Sequence, residues 1–401
     1  MSRIKFIIIV TVLIDIIGVG IVVPTLPFYV TGIGLRPIVV TLLFAIYSFF
    51  SFFSAPLLGA LSDRIGRRPI LIISILSTAA GWFIFAAAKS WVFLFVGRIV
   101  DGLAAGNIST AQSCLVDISR NDKERSINLG LIGAMFGIGF IVGPFIGGLL
   151  GHLGITAPFW FAGGMALLNA IGAIFMLPET HPNRAVLPRM QLNPFLPIIS
   201  AVKNKVLLPA YMVWFLFGLG VASVNSVFAL YLNMKFGFDE LVAGFFLGGV
   251  GMIVALNQGV ALKHFWLKRF KEPQLELSML GLYAVGYFLM SFSVLAAFIV
   301  GLAATAFCQS VLRVVLTSQA VGSAEPSKKG EVLGILMSVM SLSMIIAPAV
   351  SGYAFERKIN APFWIGGGYM VLAFLIAYYN RRRMATLKIS EDVRTNAIAL
   401  E

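Results

Sequence analysis

Apolar runs of about twenty residues or more follow one another along most of this chain, separated by short clusters of Gly, Pro and charged residues. No other feature narrows the fold so far. A helix of about 20 apolar residues crosses the ~30 Å hydrocarbon core of a bilayer. In lipid, a spanning helix also satisfies its own backbone hydrogen bonds. The runs predict an all-α integral membrane protein with twelve spans, at about 5–29, 38–62, 69–88, 91–117, 126–150, 158–178, 207–234, 240–263, 274–293, 295–319, 331–354 and 361–380.

Charge is scarce: 12% of the 401 residues are charged and 59% are hydrophobic, where a soluble domain carries roughly 25% charged residues. The 40 glycines suit close helix packing in lipid. The amino terminus, "MSRIKFIIIVTVLIDIIGVGIVVPTLPFYV", has a basic start but too long an apolar core for a signal peptide. It also holds Asp15 and two prolines, so it reads as an uncleaved first span.

With the amino terminus in the cytoplasm, cytoplasmic segments hold 23 Lys and Arg and outer loops hold 5; Arg98 and Arg313, inside spans, complete the 30. The opposite topology would invert that bias, so the expectation is an inner-membrane protein with both termini cytoplasmic. The net charge of +13 then reflects topology, and no nucleic-acid partner is expected. Cys114 and Cys308 fall inside apolar runs, which argues against a disulfide framework or a metal site. There is no G-x-x-x-x-G-K-[ST] loop and no nucleophile–base arrangement. The expectation is therefore no enzyme, no cofactor and no direct ATP drive.

The halves repeat. "APFW" at 157–160 returns at 361–364, 204 residues later, and the same register pairs Pro144 with Pro348, Gly148 with Gly352 and Arg125 with Lys329. This predicts an N-terminal six-helix bundle (1–178), a cytoplasmic linker (179–206), a C-terminal six-helix bundle (207–383) and a cytoplasmic tail (384–401). The two bundles would be pseudo-symmetric, with a substrate site between them near the midplane. In the linker, Asn193 is expected to cap a short helix with Pro194 at its first position. Phe195, Ile198, Ile199 and Val202 would lie on its membrane face.

The turn after the second span reads "GALSDRIGRRPILI" and holds Gly59, Asp63, Arg64, Gly66, Arg67 and Arg68. Here the chain resembles the major facilitator superfamily, whose signature loop runs G-x-L-x-D-R-x-G-R-R. The resemblance implies the major facilitator fold. It also implies a cytoplasmic latch in which the Asp and an Arg of the loop join Asp117, at the inner end of the fourth span. The matching loop of the second half, "LKRFKEP", has neither the Asp nor the Gly. The fifth span, "GLIGAMFGIGFIVGPFIGGLLG", places Gly133, Gly137, Gly139, Gly143, Gly147 and Gly148 around Pro144. Its spacing is similar to the motif of the drug–proton antiporter branch, and "DIIGVGIVVPTLP", "GRIVDG" and "LPETH" resemble tetracycline and multidrug efflux members.

Inside the fourth span, "FVGRIVDGLAAGNISTAQ", Arg98 and Asp101 stand three residues apart. Each charge at a helix centre costs about 2.5–3.5 kcal/mol on insertion scales. Asp101 lies about ten residues, roughly 15 Å, from the outer face, and Asp15 lies at a similar depth in the first span. On a continuous helical wheel Arg98, Asp101, Ala105, Ser109 and Gln112 share a face, with Asn107 opposite. That polar face points to a wet cavity. One reading is an ion pair that only fixes packing. The other is a proton site, since desolvation and a neighbouring like charge favour the neutral form of a carboxylic acid. The resemblance supports the second, with Asp15 as main proton carrier and Arg98 as its partner; Asp101 departs from the family's commonest residue at its place and is read as a second acid from its position beside Arg98. Asn225, Asn257, Gln258, Gln309 and Arg313 are the remaining polar candidates for the substrate cavity.

The sequence thus reads as a monomeric proton-coupled antiporter that exports amphiphilic small molecules by alternating access. Its partners would be a small amphiphilic substrate, protons and membrane lipid. A lipid or glycolipid flippase on the same fold, or a proton-coupled uptake symporter, are the alternatives.

Overall fold

The computed structural model describes residues 3–180, 193–325 and 328–398. They form α1 (Arg3–Gly32), α2 (Pro37–Ile65), α3 (Arg67–Ala86), α4 (Trp91–Leu103), α5 (Asn107–Asp117), α6 (Asp122–Gly151), α7 (Ala157–Met176), α8 (Leu196–Lys203), α9 (Leu208–Phe236) and α10 (Glu240–Leu256). A π-helical stretch, Asn257–Trp266, continues α10 into α11 (Leu267–Arg269). Then come α12 (Glu272–Met290), α13 (Leu295–Gly322), α14 (Lys329–Arg357) and α15 (Ala361–Ile398).

Among the described residues eleven helical segments are long and apolar enough to cross a membrane. The expected span at 274–293 forms α12, but Gln274 and Glu276 near its start make it the least apolar of the set. Two further expectations need adjustment, and the tail gains a secondary structure. The fourth span is two helices, α4 and α5, because the chain turns out of helix at Ala104–Gly106. The linker helix α8 starts at Leu196, with Pro197 in its first turn. Asn193 Oδ1 accepts from Phe195 N at 2.9 Å, ahead of the helix rather than at its cap. The tail after Arg383 continues α15 to Ile398. Most of the linker, 181–192, lies outside the described residues.

Small residues set the packing. In lipid, helices associate through close van der Waals contact rather than hydrophobic transfer, so backbones approach where side chains are absent. On α6, Gly139, Gly143 and Gly147 recur every four residues and lie against Ile16, Gly20 and Ile21 of α1. Another face of the same helix meets α10. A Cβ on Gly148 would stand 2.8 Å from Leu241 Cα, and the carbonyl of Pro144 lies against Gly244. The second-half counterpart of Gly148 behaves likewise: Gly352 on α14 lies against Thr41 on α2. Two seams, α6–α10 and α2–α14, thus join the halves in a pseudo-symmetric way.

Both seams close at the end of the molecule away from the basic α2–α3 turn. There Arg36 pairs with Glu356, whose Oε1 also accepts from Ile38 N at 3.2 Å. At the other seam His152 Nε2 lies 3.8 Å from Asp239 Oδ2. Toward the basic end the seams part: Gly59, Gly130, Gly133, Gly330 and Gly334 have open space where a Cβ would stand. The halves are therefore zipped at one end and separated at the other.

Candidate functional site

The polar centre of the first half is built where α1, α2, α3, α4 and α5 meet. α3 and α4 approach closely because Gly81 and Gly97 face each other. A Cβ on Gly81 would stand 2.8 Å from Gly97 O and 2.9 Å from Asp101 Cβ. The break at Ala104–Gly106 frees carbonyls that water cannot reach, and hydroxyls of neighbouring helices satisfy them. Ser54 Oγ on α2 donates to Gly102 O at 2.6 Å, and Ser77 Oγ on α3 donates to Val100 O at 2.6 Å.

The break decides which side chains meet. It re-phases α5 relative to α4, so the single helical wheel that put Asn107 opposite Asp101 does not apply. Asn107, the first residue of α5, turns inward. Its Nδ2 donates to Asp15 Oδ1 at 2.7 Å and to Thr78 Oγ1 at 3.2 Å. The Thr78 hydroxyl in turn faces the Asp101 carboxylate. Asp15 and Asp101 are thereby linked through two uncharged polar side chains, and each feels the other's charge.

Arg98 and Asp101 are both buried, and Arg98 Nη1 lies 3.6 Å from Asp101 Oδ2. That is ion-pair range, but long for a hydrogen bond. The guanidinium instead lies among rings, 4.5 Å from the centroid of Trp82 and 5.6–5.8 Å from those of Phe85, Tyr47 and Phe44. Cation–π attraction holds such a group most effectively when it is desolvated. Arg98 pairs with Asp101, and Asp15 meets no cation among the described residues, so with both acids ionised the cluster carries a net negative charge. The Tyr47 phenol lies within electrostatic reach of Asp15, Asp101 and Arg98. Sequence periodicity points to none of Asn107, Thr78, Tyr47 and Trp82 as members of the cluster. The one signal for Asn107 is the pair of glycines, Gly102 and Gly106, that flanks the break before it.

The expected latch residues come together at the basic end. Arg67 pairs with Asp63 and, through Nε at 3.0 Å, with Asp117; its Nη1 donates to Ser62 Oγ at 2.7 Å. Glu179, unforeseen, receives Arg67 N at 2.9 Å and Arg68 N at 3.2 Å, so its carboxylate sits on the first amides of α3. Helix starts favour an anion there. Gly66, at φ +119°, lies against that carboxylate, so a side chain is excluded by both conformation and space. Arg68 donates to Ile174 O on α7. Arg64 is exposed.

The remaining polar candidates scatter. Ser109 and Gln112 are half-buried on α5, and Ser109 Oγ donates to Gly106 O of its own turn. Asn225 is an exposed residue in the otherwise buried central part of α9. Arg313 is exposed on α13, one turn from half-buried Gln309, and has no ion pair among the described residues. Asn257 and Gln258 are engaged elsewhere. Asn257 donates to Ser310 and to Phe307 O and accepts from Trp266 at 3.0 Å, while Gln258 donates to Ser310 O at 3.2 Å. They bind the π-helical stretch to α13.

The model of the Major Facilitator Superfamily matches residues 8–272 and 264–397. The chain belongs to the major facilitator superfamily. Its relatives include the class C tetracycline resistance protein of Escherichia coli, 30% identical over 92% of this chain and 94% of that protein. Multidrug resistance protein 2 of Bacillus subtilis is 26% identical over 89% and 90%. The quinolone resistance protein NorA of Staphylococcus aureus is 24% identical over 97% and 99%. Among solved structures, the nucleoside transporter NupG superposes with a TM-score of 0.76 over 95% of this chain and 99% of its own, at 13% identity. The human organic anion transporter MFSD10 gives 0.69 at 22% identity, over 94% and 99%. At such identities these structures speak for the fold, which they share with this chain.

Proposed function

We propose that this protein exports amphiphilic small molecules in exchange for protons, by alternating access, as a monomer in the bacterial inner membrane. Both termini are cytoplasmic in this reading, because the basic loops gather at one end. The zipped end then faces out and the separated end faces the cytoplasm, so the structure is the inward-facing state. The two six-helix halves, 1–178 and 207–383, rock about the seams.

The observation that carries the reading is the interior cluster of buried Arg98 and Asp101 with half-buried Asp15. With one proton, Asp15, Asp101 and Arg98 balance; without it, a negative charge remains in a desolvated site. Proton binding and release therefore have different free energies in the two facing states, and a gradient biases the cycle. Asp15 is the main carrier, since it is half-buried and meets no cation among the described residues, while Asp101 is closed in with Arg98. Asn225, Gln309, Arg313, Ser109 and Gln112 are proposed to line the substrate path. The Asp63–Arg67–Asp117 group, formed within the first half here, would dock on the second half to close the cytoplasmic end in the outward-facing state. Gly139, Gly143 and Gly147 let α6 slide on α1 as the seam at Gly148 opens.

Export of drugs is also what the names of the relatives suggest, and it is testable directly. Expressed in a host stripped of its own efflux pumps, the protein should raise tolerance to tetracyclines, quinolones or other amphiphilic compounds. Unchanged tolerance across the panel, with the protein present in the membrane, would overturn drug export. Movement of a fluorescent lipid probe in liposomes without a pH gradient would then favour the flippase.

A further inference from the structure

Asn107 is 9% exposed, and its amide is only half satisfied. Nδ2 donates to both Asp15 and Thr78, whereas Oδ1 is buried with no hydrogen-bond partner among the described residues. An acceptor buried and unpaired is costly to keep. A carboxylate offers acceptors only, whereas a carboxylic acid adds one O–H donor. The idle oxygen and the donor that a proton would create on Asp15 belong to neighbouring groups already joined by one hydrogen bond.

We infer that Asn107 responds to the protonation state of Asp15. It donates to the charged carboxylate, and it also accepts the O–H of the protonated acid at Oδ1, closing a cyclic acid–amide pair. The inference rests on the reading of Asp15 as the proton carrier. The proton comes from water in the space between the halves and stays on Asp15, so no bond other than O–H forms.

The geometry suits this exchange. A primary amide has one N–H on the side of its own oxygen and one pointing away. The first closes the ring with Asp15, and the second remains on Thr78 Oγ1, whose own hydrogen faces Asp101. The charged and titratable groups around Asp15 are Asp101 on α4 and Tyr47 on α2, with Arg98 beyond Asp101. α6, α7, α9 and α10 also pack on α1 and bring no ionisable group to Asp15 among the described residues.

Position gives the pair its consequence. Asn107 opens α5 directly after the break, while α4 is held independently by Ser54 and Ser77. Proton uptake therefore adds a second tie between α1 and α5 without touching α4. The break at Ala104–Gly106 is where the two segments of the fourth span turn relative to each other. Asn107 is in this sense a positioning residue, which converts a proton on α1 into a constraint on α5.

pH-difference infrared spectroscopy of the purified full-length protein tests the inference, because the C=O stretch of a carboxylic acid moves to lower frequency when its O–H donates a hydrogen bond. Wild type should show an acid band that disappears in Asp15→Asn. In Asn107→Leu that band should persist and move to higher frequency, with a severalfold loss of gradient-driven transport. Should Asn107→Leu fail to accumulate, Asn107→Ala carries the same readout with no added bulk. A band lost in Asp15→Asn yet unmoved in the Asn107 variants would overturn the inference alone. A band that survives Asp15→Asn would overturn the proton-carrier reading and this inference with it.

Discussion

Gly148→Ala should shift the protein out of the state described here. The added Cβ would stand 2.8 Å from Leu241 Cα and 3.0 Å from Glu240 O, both backbone atoms of the other half. Carbon contacts are optimal at about 3.5–4.0 Å, so the seam must part by roughly 0.5–1 Å. No rotamer change can relieve a clash with backbone. Overpacking of this kind costs about 1–3 kcal/mol. In the proposed cycle the opposite-facing state opens this seam, so the cost falls on one state only. A bias of about 1–3 kcal/mol is about a 5–150-fold change in population ratio. Spin labels at exposed Leu153 and Met234 bracket the seam in a background lacking the two buried cysteines, Cys114 and Cys308. Pulsed dipolar spectroscopy should show the longer-distance population growing in Gly148→Ala. Gly164→Ala, with nothing within 4 Å of the new Cβ, is the matched control and should change nothing. A folded Gly148→Ala protein with the wild-type distance distribution would refute the argument that this glycine exists to let the halves close.

Gly66→Ala forces a non-glycine residue to φ +119° and pushes its Cβ into the Glu179 carboxylate; strain of this type costs about 1–3 kcal/mol, so the melting temperature should fall, and an unchanged melt would show that the turn has another conformation. Arg98→Ala alone leaves Asp101 buried with its charge partner gone, and should be poorly expressed. Adding Asp101→Asn should restore stability in a thermal-shift assay but not proton-coupled transport, because Asp15 has then lost the charges that surround it. Recovery of both to wild-type levels would make the pair a packing device. Arg67→Ala should free Asp63 and Asp117 from their shared cation and lengthen the time the cytoplasmic end stays open, read as a shift toward longer distances between labels on the inner ends of α2 and α14.

The fold was legible because lipid leaves a chain few options. The length of each apolar run, the basic clusters between them and the repeat of "APFW" all carry information independent of side-chain detail. The glycines around Pro144 were likewise visible as a packing motif, but only the structure divides them between Gly139, Gly143 and Gly147, packed on α1, and Gly148, packed on α10. What the sequence concealed was local backbone departure. "GLAAG" interrupts the fourth span, and that interruption, rather than helical periodicity, brings Asn107 to Asp15. The same holds for Asn257 and Gln258: the π-helical stretch turns them onto α13, whereas a regular helix left their direction open. Glu179 was hidden differently. It lies 112 residues from Arg67 in sequence, and only the packing of α3 on α7 places it over the first amides of α3.

The central claim is that a proton on Asp15 drives uphill export. The direct measurement uses purified protein in sealed liposomes loaded with a pH-sensitive dye, with a substrate identified from the growth panel. Substrate should move against its own gradient when a pH gradient is imposed. Protons should move the opposite way, and a protonophore should abolish both. Asp15→Asn should fold, insert and bind substrate, yet show neither flux under the gradient. Uphill transport by Asp15→Asn at the wild-type rate, or wild-type transport indifferent to the protonophore, would contradict the account.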